Sequence, residues 1–567
     1  MIDFEIFTQQ AEYIPGESFS KWTVTHNDEL QIIKKLTQGG AKIIVGPRGC
    51  GKTTLMKKAY NSLINANSNS SLPVYVNFKS SLKLEPLYRS NTNAAFWFNQ
   101  WLLFKVYLGL LESAKAFKIE QDIDNKISTI EEIVNNLEMA RIDLFENSDK
   151  HLSLSKLEHH ISQILTDTKR TRCVLLLDDA GHAFSDEQQH DFFEFFREIK
   201  TKSISPKAAV YPGVTSYSSA FHIGHDAEEI DVWLKPSSNG YLDFMYEILE
   251  SRLGKEIFNK IKSEKTVLDF LCFSAYGIPR ALLNMVSSFF KEEEENITDG
   301  KINLSKIKFD SNIALKAVRE NYENNLKIYE SLKIKLPLYK NFIDTGSTAF
   351  EEIQKIIKDF NKKNKVESQS SSIAIQRPIS PEFSKVLGFF QYSGLLAPRG
   401  TTNRGNKGVY EIYELHYGAI VDRNIFFSSR GLSLENYCLA FNNRPNHLYP
   451  RHKETGLIGN NDPSKLFTLA LPPCEVCRTK RLSNEARFCV NCGIKLKDFS
   501  VFENIVSQDI EKLPITLNRA KSIKSSSKIK TIKDILMDYD NKELRSVPMV
   551  GPHWAKTIKS YAEEFIA

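Results

Sequence analysis

The sequence lacks a long apolar run. Nowhere among its 567 residues do about 20 consecutive apolar residues occur, the length that a helix needs to cross a bilayer. Its beginning, MIDFEIFTQQAEYIPGE, carries acidic residues and lacks the basic-then-apolar order of a signal peptide. We therefore expect a cytoplasmic protein with no membrane partner.

Cysteine is scarce, and neither sign of charge dominates. Of eight cysteines, four (Cys50, Cys173, Cys272 and Cys438) are scattered, as is typical of a reducing compartment. The 75 Lys and Arg against 69 Asp and Glu leave a net charge of +6, which permits a nucleic-acid partner without arguing for one. The 36 Phe and 21 Tyr exclude a disordered chain, and the length predicts roughly three or four domains.

Residues 46–54, GPRGCGKTT, match the P-loop pattern and stand between the apolar segment AKIIV and the helical segment TTLMKKAYNSLI. Glycines here let the backbone N–H groups and the helix N-terminus face phosphate oxygens. Lys52 places a cation near the β- and γ-phosphates, and the Thr53 hydroxyl suits Mg²⁺. The strand–loop–helix context disfavours a chance Gly-rich turn. We predict an ATP and Mg²⁺ site formed by Gly46, Pro47, Arg48, Gly49, Cys50, Gly51, Lys52, Thr53 and Thr54.

The apolar run VLLLDD ends in Asp178 and Asp179 and is typical of a buried strand of a parallel sheet. We predict that Asp178 reaches Mg²⁺ through its water shell and that Asp179 polarises the attacking water. A core strand with two solvated carboxylates is the alternative, which the P-loop disfavours. Because Asp reaches less far than the Glu of many P-loop ATPases, we expect slow hydrolysis.

Four features in this order resemble AAA+ ATPases of the origin-recognition and replication-initiator type: GPRGCGKTT, LLLDD, a strand ending in Thr215, and the tetrapeptide GIPR at 277–280. The resemblance implies that Thr215 contacts the γ-phosphate or the water (sensor 1). It also implies that Arg280, carried by a helical lid, reads the phosphate state (sensor 2). An ordinary arginine at a helix start, after Pro279, is the alternative.

One part of the family pattern is missing. The family usually offers an arginine finger to the neighbouring subunit, but residues 216–230, SYSSAFHIGHDAEEI, contain no arginine, and Arg197 is a weak substitute. An oligomer is permitted without the usual contact. The sequence also resembles signal-transduction ATPases that use nucleotide as a switch. A DNA-associated ATPase and a signalling or antiviral-defence switch that binds protein partners therefore both stay open.

The expected fold class is multidomain α/β, with a parallel-sheet AAA+ domain followed by smaller modules. The predicted boundaries are 1–235 for the nucleotide-binding domain, 236–350 for the helical lid, 375–430 for a winged-helix-like domain, 470–497 for a zinc ribbon and 528–567 for a helical C-terminus. We expect KKNKVESQSSSIAIQ, before the third of these, to be a linker or an exposed loop.

A helix, SPEFSKVLGFFQYSGLL, followed by a basic, Gly-rich hairpin has the outline of a winged helix. In initiator-type relatives this domain grips duplex DNA, so the resemblance implies duplex DNA as a partner. Arg399, Arg404 and Lys407 suit phosphates, and glycines at 400, 405 and 408 allow close approach. The alternative is a packing domain with a solvated basic loop.

Two CxxC pairs, Cys474 with Cys477 and Cys489 with Cys492, suit four thiolates around one tetrahedral, structural Zn²⁺. Gly493 relieves the tight turn of the second knuckle. Disulfides are the alternative, disfavoured in the cytoplasm. An acidic partner is favoured by the basic residues Arg478, Lys480, Arg481 and Arg487.

The C-terminus, LRSVPMVGPHWAKTIKSYAEEFI, resembles a helix–hairpin–helix motif that aims backbone N–H groups at a DNA phosphate. Gly551 and Ala555 match the second glycine and the small helix residue, whereas Met549 stands where the first glycine is usual. Lys556 and Lys559 are candidates for phosphate contacts. A helical tail that docks a protein is the alternative.

Overall fold

A computed structural model describes residues 2–566 of the chain, with internal gaps. The gaps are 8–9, 67–69, 91–92, 120–121, 143–150, 182–184, 291–300, 303–306, 366–367, 428–431, 443–447, 460–461, 484–485, 497–499, 539 and 549. Within the described ranges, no helix is both long enough and apolar enough to cross a membrane.

The first part of the chain is built on a parallel sheet. The strands of this part of the chain are β1 (Ile2–Asp3), β2 (Lys42–Val45), β3 (Leu72–Asn77), β4 (Cys173–Asp178), β5 (Ile204–Val210) and β6 (Glu228–Asp231). Strands β2 to β6 form one sheet in the order β3-β4-β5-β2-β6, with every pairing parallel. The carboxyl ends of β2, β4 and β5 therefore meet at one edge, where ligands bind in open α/β sheets.

Helices cover both faces of this sheet, which explains why β4 and β5 are buried along their whole length. The helices are α1 (Gly16–Trp22), α2 (Asn27–Thr37), α3 (Lys52–Ile64), α4 (Glu85–Ser90), α5 (Ala94–Ala116), α6 (Ile123–Glu138), α7 (Leu154–Asp167) and α8 (Asp186–Glu198). One face packs α2 and α3 through Leu36 and Met56. The other packs α5 and α8 through Trp101 and Phe193.

A helical region follows this sheet. It contains α9 (Tyr241–Ser263), α10 (Lys265–Ser274), α11 (Pro279–Ser287), the short strand β7 (Lys301–Ile302), α12 (Ser311–Lys335) and α13 (Lys340–Lys362). Strand β7 pairs antiparallel with β1, which fastens the start of the chain to this region. Helix α13 continues past the predicted boundary at 350 because its apolar stripe, including Ile353 and Ile357, is buried.

A second sheet has the order β11-β8-β10-β9. Its elements in chain order are β8 (Ser372–Gln376), α14 (Pro381–Tyr392), β9 (Leu396–Asn403), β10 (Val409–Leu415), α15 (Tyr417–Asp422), α16 (Leu434–Asn442) and β11 (Arg451–His452). The prediction of a linker is wrong for β8, which pairs with β10. Ile373 and Ile375 are buried there, and the Ser371 hydroxyl donates to Glu414 at 2.7 Å, so this Ser-rich stretch is satisfied inside the fold.

The remaining helices are α17 (Glu454–Leu457), α18 (Pro463–Leu466), α19 (Val501–Val506), α20 (Leu517–Ser526), α21 (Ile532–Met537), α22 (Lys542–Arg545) and α23 (Pro552–Ile566). The folded C-terminal region begins at Val501, before the predicted start at 528. The Ser/Lys-rich residues 521–526, KSIKSS, belong to α20, whose Ile523 is buried. A parallel α/β sheet followed by helical and cysteine-bearing regions confirms the predicted multidomain α/β class.

Candidate nucleotide site and cysteine cluster

The predicted P-loop fills the turn between β2 and α3 at the carboxyl edge of the sheet. Gly49 and Gly51 have φ values of 84° and 99°, a region that favours glycine. A Cβ at Gly49 would lie 3.0 Å from the Cβ of Arg280, so the loop and the start of α11 are in close contact. Cys50 is buried with the α3 core, so it supports the loop from beneath and does not face a ligand.

Lys52, the first residue of α3, is buried at this edge. Its ammonium donates to the carbonyls of Gly46 at 2.8 Å and Pro47 at 3.0 Å. It also lies 3.7 Å from the ring centroid of Tyr211. Burial lowers the pKa of Lys52, while the nearby carboxylates of Asp178 and Asp179 oppose that shift. A cation already desolvated in this way binds an anion more strongly than a solvated lysine does.

Asp178 is the last residue of β4, Asp179 follows it, and both carboxylates lie near Lys52 of the P-loop. Asp178 accepts from the Tyr75 hydroxyl at 2.8 Å, and Asp179 accepts from the Asn77 amide at 3.2 Å. Burial and then the charge of Asp179 raise the pKa of Asp178 to about 8, against hydrogen bonds from Tyr75 and Thr53. Hydroxyl and carboxylate oxygens are the ligands that Mg²⁺ prefers, so Thr53 and Asp178 fit that ion.

An open cleft of about 1000 Å³ lies over this edge. That volume includes the open solvent at the mouth of the cleft. Polar groups from distant parts of the sequence converge in it: Arg48, Lys52, Thr53, Thr54, Lys79, Asp179, Arg280 and Glu564. Apolar side chains, including Trp22, Phe244 and Leu283, line it too. The cleft thus offers cations and hydroxyls for phosphates and apolar surface for a flat base.

The prediction that a strand ends in Thr215 is wrong. Strand β5 ends at Val210, because Pro212 cannot donate to the ladder and Gly213 turns the chain with a φ of 71°. The Thr215 hydroxyl accepts from the Tyr211 N–H at 3.0 Å, and Thr215 is not among the described residues that line the cleft. Tyr211 lines it instead and donates to Asp179 at 3.3 Å. Tyr211 directly follows the buried strand β5, and this position in the sequence could have identified it as a site residue.

Arg280 lies next to the P-loop, where it contacts Gly49. Helix α11 begins at Pro279, and Gly277 just before it has a φ of 73°. A Cβ there would overlap the Leu234 carbonyl, so only glycine permits this approach. The Arg280 guanidinium forms an ion pair with Glu564 of α23. Sequence reasoning assigned Glu564 no role, because 284 positions separate the two residues and no local pattern joins them.

The other predicted basic residues differ in their surroundings. Arg197 is partly exposed on α8 and pairs with Glu194 at 2.7 Å, away from the cleft. Arg399 donates to the Ser372 hydroxyl at 3.4 Å and lies 3.8 Å from Glu414, so it belongs to the interior of the second sheet. The turn of the β9–β10 hairpin presents two exposed cations, Arg404 and Lys407.

The four predicted zinc-ligand cysteines come together. Their Sγ atoms all lie within 4.8 Å of one another, with Cys474 to Cys492 at 3.5 Å and Cys477 to Cys489 at 3.4 Å. Tetrahedral zinc with Zn–S bonds of about 2.3 Å requires sulfurs about 3.8 Å apart. All four thiols are free, and the cluster fits a zinc ribbon.

The two knuckles have the same turn geometry. Gly493 has a φ of 69° and donates to the Cys489 carbonyl at 2.9 Å, as predicted for a tight turn. In the first knuckle Arg478 takes the same place, with a φ of 58° and a 2.9 Å bond to the Cys474 carbonyl. The knuckle cations Arg478, Lys480 and Arg487 are exposed, whereas Arg481 is buried and donates to the Ser483 carbonyl.

The predicted helix–hairpin–helix region corresponds to α22, a turn, and α23. Ala555 is buried and Gly551 is exposed, and Met549 lies outside the described residues. Lys556 is exposed, while the Lys559 ammonium donates to the Asp538 carbonyl at 2.7 Å. The far end of α23 enters the cleft, so this helix docks within its own chain.

Comparison with known proteins gives a limited result. No protein-family model matches the chain, and no curated protein matches it. Among solved structures, the chain is similar to the Orc1 protein of Aeropyrum pernix, determined in complex with DNA, at 14% identity over 77% of this chain and 95% of that one, with a TM-score of 0.30. It is also similar to Cdc6p from Pyrobaculum aerophilum, at 14% identity over 75% and 98%, with a TM-score of 0.28.

Proposed function

We propose that this protein is an AAA+-type ATPase that binds ATP and Mg²⁺ and whose nucleotide state controls its contact with DNA. One observation carries the proposal. The P-loop, Asp179 just after β4 and an arginine from the helical region converge on one cleft, and Asp178 is the last residue of the same strand. Each group is of the type that phosphates and Mg²⁺ require, and each comes from a different part of the chain.

The roles divide by position in the cleft. The P-loop N–H groups and Lys52 bind the phosphates, and Thr53 with Asp178 hold Mg²⁺, which neutralises phosphate charge. Asp179 orients the attacking water. Its carboxylate is already bonded to Asn77 and Tyr211, and an aspartate reaches less far than a glutamate. Both features favour slow turnover.

Arg280 makes the site a reporter of phosphate state. It stands at the first turn of α11, in the helical region that the cleft separates from the sheet. A cation carried by a separate region binds the terminal phosphate of ATP and loses that partner in ADP, which shifts the helical region. We retain the sensor 2 role for Arg280. We assign to Tyr211 the sensor 1 role that was predicted for Thr215.

For DNA, the exposed hairpin turn is a better candidate than the preceding helix. Helix α14 buries seven of its 12 residues, and Tyr392 at its end accepts from the Arg48 N–H at 3.2 Å. It therefore packs on the nucleotide site and cannot enter a groove while docked. Arg404 and Lys407 at the turn, the cysteine-knuckle cations and Lys556 remain exposed and suit the phosphate backbone. A helix–hairpin–helix motif in the C-terminal region 528–567 and a zinc ion held by the four cysteines are part of this proposal.

The test measures ATP binding and ATP turnover by the full-length protein, with and without duplex and single-stranded DNA. Lys52→Ala should abolish nucleotide binding, and Asp179→Ala should keep binding and reduce turnover. The exposed Lys255→Ala serves as the control for both. Unchanged turnover in Asp179→Ala would remove that residue from the mechanism. If the wild type does not bind ATP, the proposal fails.

The DNA part is tested separately by binding at low and high salt. Removing Arg404 and Lys407 together should weaken duplex binding and lower the salt slope by up to about 2, since each phosphate contact releases about one counterion. The double variant Lys255→Ala, Lys265→Ala removes the same charge from exposed positions in α9 and α10 and should change neither. Absence of DNA binding at low salt would refute this part.

A switch ATPase that binds protein partners is the second candidate, and the docking of α23 at the cleft favours it. A helix held at a nucleotide site can report the bound nucleotide to another region without fast hydrolysis. Nucleotide retained through purification, very slow turnover and no response to DNA would favour this candidate over the first.

A further inference from the structure

The C-terminal helix α23 ends inside the nucleotide cleft. The carboxylate of Glu564 forms an ion pair with Arg280 and lies 3.4 Å from Nη2 of Arg48, a P-loop residue. The same Arg48 nitrogen donates to the backbone carbonyl of Glu564 at 2.6 Å, and the Gln10 amide donates to its carboxylate at 2.8 Å. Four hydrogen bonds or ion pairs thus hold one glutamate from the last helix turn.

These contacts use the charges that a nucleotide phosphate would use. Although burial raises it, the pKa of Glu564 is held down to about 2 by Arg280, Arg48 and Lys79, so the side chain is an anion at neutral pH. Glu564 lines the same cleft as Lys52, Thr53 and Asp179. A terminal phosphate placed beside Arg280 would face this carboxylate and repel it.

We propose that Glu564 competes with the terminal phosphate of ATP for Arg280, so that docked α23 disfavours ATP relative to ADP and ATP releases α23 from the cleft. This inference rests on the proposed nucleotide function and adds a regulator to it. The coupling is reciprocal: if ATP weakens the docking of α23, docked α23 weakens ATP binding by the same factor. ADP has no third phosphate and leaves the ion pair in place.

Release of α23 would reach the rest of the C-terminal region. Tyr13 in the N-terminal segment donates to Glu563 at 2.6 Å, and the Phe565 ring lies 5.9 Å from Nζ of Lys335 in α12. Buried Ala555, Ile558 and Ala562 pack α23 against the helices that follow residue 501. Nucleotide state is therefore transmitted from the P-loop to the helices that follow residue 501.

The test compares Glu564→Gln, which keeps the shape of the side chain and removes its charge, with Glu563→Gln. The control removes the same charge one residue earlier, where the contact is with Tyr13 and not with either arginine. For each full-length protein, affinities are measured for ADP and for a non-hydrolysable ATP analogue, both with Mg²⁺. We expect Glu564→Gln to raise the ratio of ATP to ADP affinity about tenfold, within the usual range of coupling. Glu563→Gln should leave the ratio unchanged.

A second measurement needs no variant. Hydrogen exchange of residues 552–566 in the wild type should become faster with the ATP analogue and stay slow with ADP. An unchanged affinity ratio in Glu564→Gln, a lowered one, or exchange that is equal with both nucleotides would overturn the inference while leaving the proposed function standing. If no variant and no wild type binds nucleotide, the proposed function itself fails.

Discussion

The contact between α14 and the nucleotide-binding sheet can be tested by adding one methyl group. Gly388 in α14 faces Gly213 in the turn after β5. A Cβ at Gly388 would lie 2.5 Å from Cα and 2.7 Å from N of Gly213. Both are backbone atoms, so no side chain can rotate away to make room. Gly388→Ala must push the helix off the turn or strain one of them.

The expected sign is opposite to that of an ordinary helix substitution. Gly to Ala in a helix interior normally stabilises by about 1 kcal/mol. Overpacking costs about 1–3 kcal/mol, and a backbone clash lies at the upper end of that range. We therefore expect a net loss of about 2 kcal/mol. Gly456→Ala is the control: it lies in α17, and its nearest neighbour, Nδ1 of His452, is at an ordinary 3.6 Å.

The same substitution should reach the nucleotide. Helix α14 ends at Tyr392, whose carbonyl accepts from the Arg48 N–H and whose ring lies 5.4 Å from the ring of Tyr211. Thermal unfolding and ATP affinity are therefore measured for both variants. We expect Gly388→Ala to lose a few degrees in Tm and to bind ATP more weakly, and Gly456→Ala to match or exceed the wild type. A Gly388→Ala protein as stable as the control would refute the close backbone contact.

Two further predictions concern zinc and pH. Removing zinc with a chelator, or the substitution Cys477→Ser, should release about one equivalent of zinc and unfold residues 474–496. ATP binding should be kept, because four thiolate ligands leave the zinc no open coordination position for a nucleotide. A metal assay and hydrogen exchange check this, and a protein that holds no metal would contradict it. Lys207 is fully buried in β5, and burial, Lys42 and Arg172 lower the pKa of its ammonium to about 7. Between pH 7 and about 10.5, Lys207 therefore stays protonated in the unfolded chain and loses its proton in the folded chain. The free energy of unfolding of the wild type should therefore rise by about 2 kcal/mol from pH 7 to pH 9 relative to that of Lys207→Met. Denaturant unfolding of both proteins at both pH values tests this. The same pH dependence in the two proteins would contradict it.

Local patterns predicted the parts of the site that local backbone geometry builds. The P-loop needs a strand, a Gly-rich turn and a helix start within a few residues, and the structure has each of them at β2 and α3. The acidic pair after β4 and the two cysteine knuckles are equally local, since a few residues fix each turn. Arg280 was singled out by the resemblance of the tetrapeptide GIPR to a family motif, and Gly277 and Pro279 lie at the start of its helix.

Predictions failed where burial overrode composition. The Ser-rich stretch before α14 suggests a linker, but its Ile-Ala-Ile core and the bonded hydroxyl of Ser371 place it in a central strand. A basic residue is not an exposed one: Arg399 and Arg481 bond to groups of the interior. Thr215 was misplaced because Pro212 and Gly213 end the strand early.

Local sequence patterns could not identify Glu564 as a residue of the nucleotide cleft. Nothing near it in the chain suggests a nucleotide site, and its partners Arg48 and Arg280 lie hundreds of positions away. Arg48 bonds to α14 through its backbone and to α23 through its side chain, so one P-loop residue joins two regions that sequence reasoning treated as separate DNA-binding modules. A phosphate that moves Arg48 or Arg280 must disturb both contacts together. For this reason we expect nucleotide to act on this chain first through its own helices, and on any external partner only after those helices have moved.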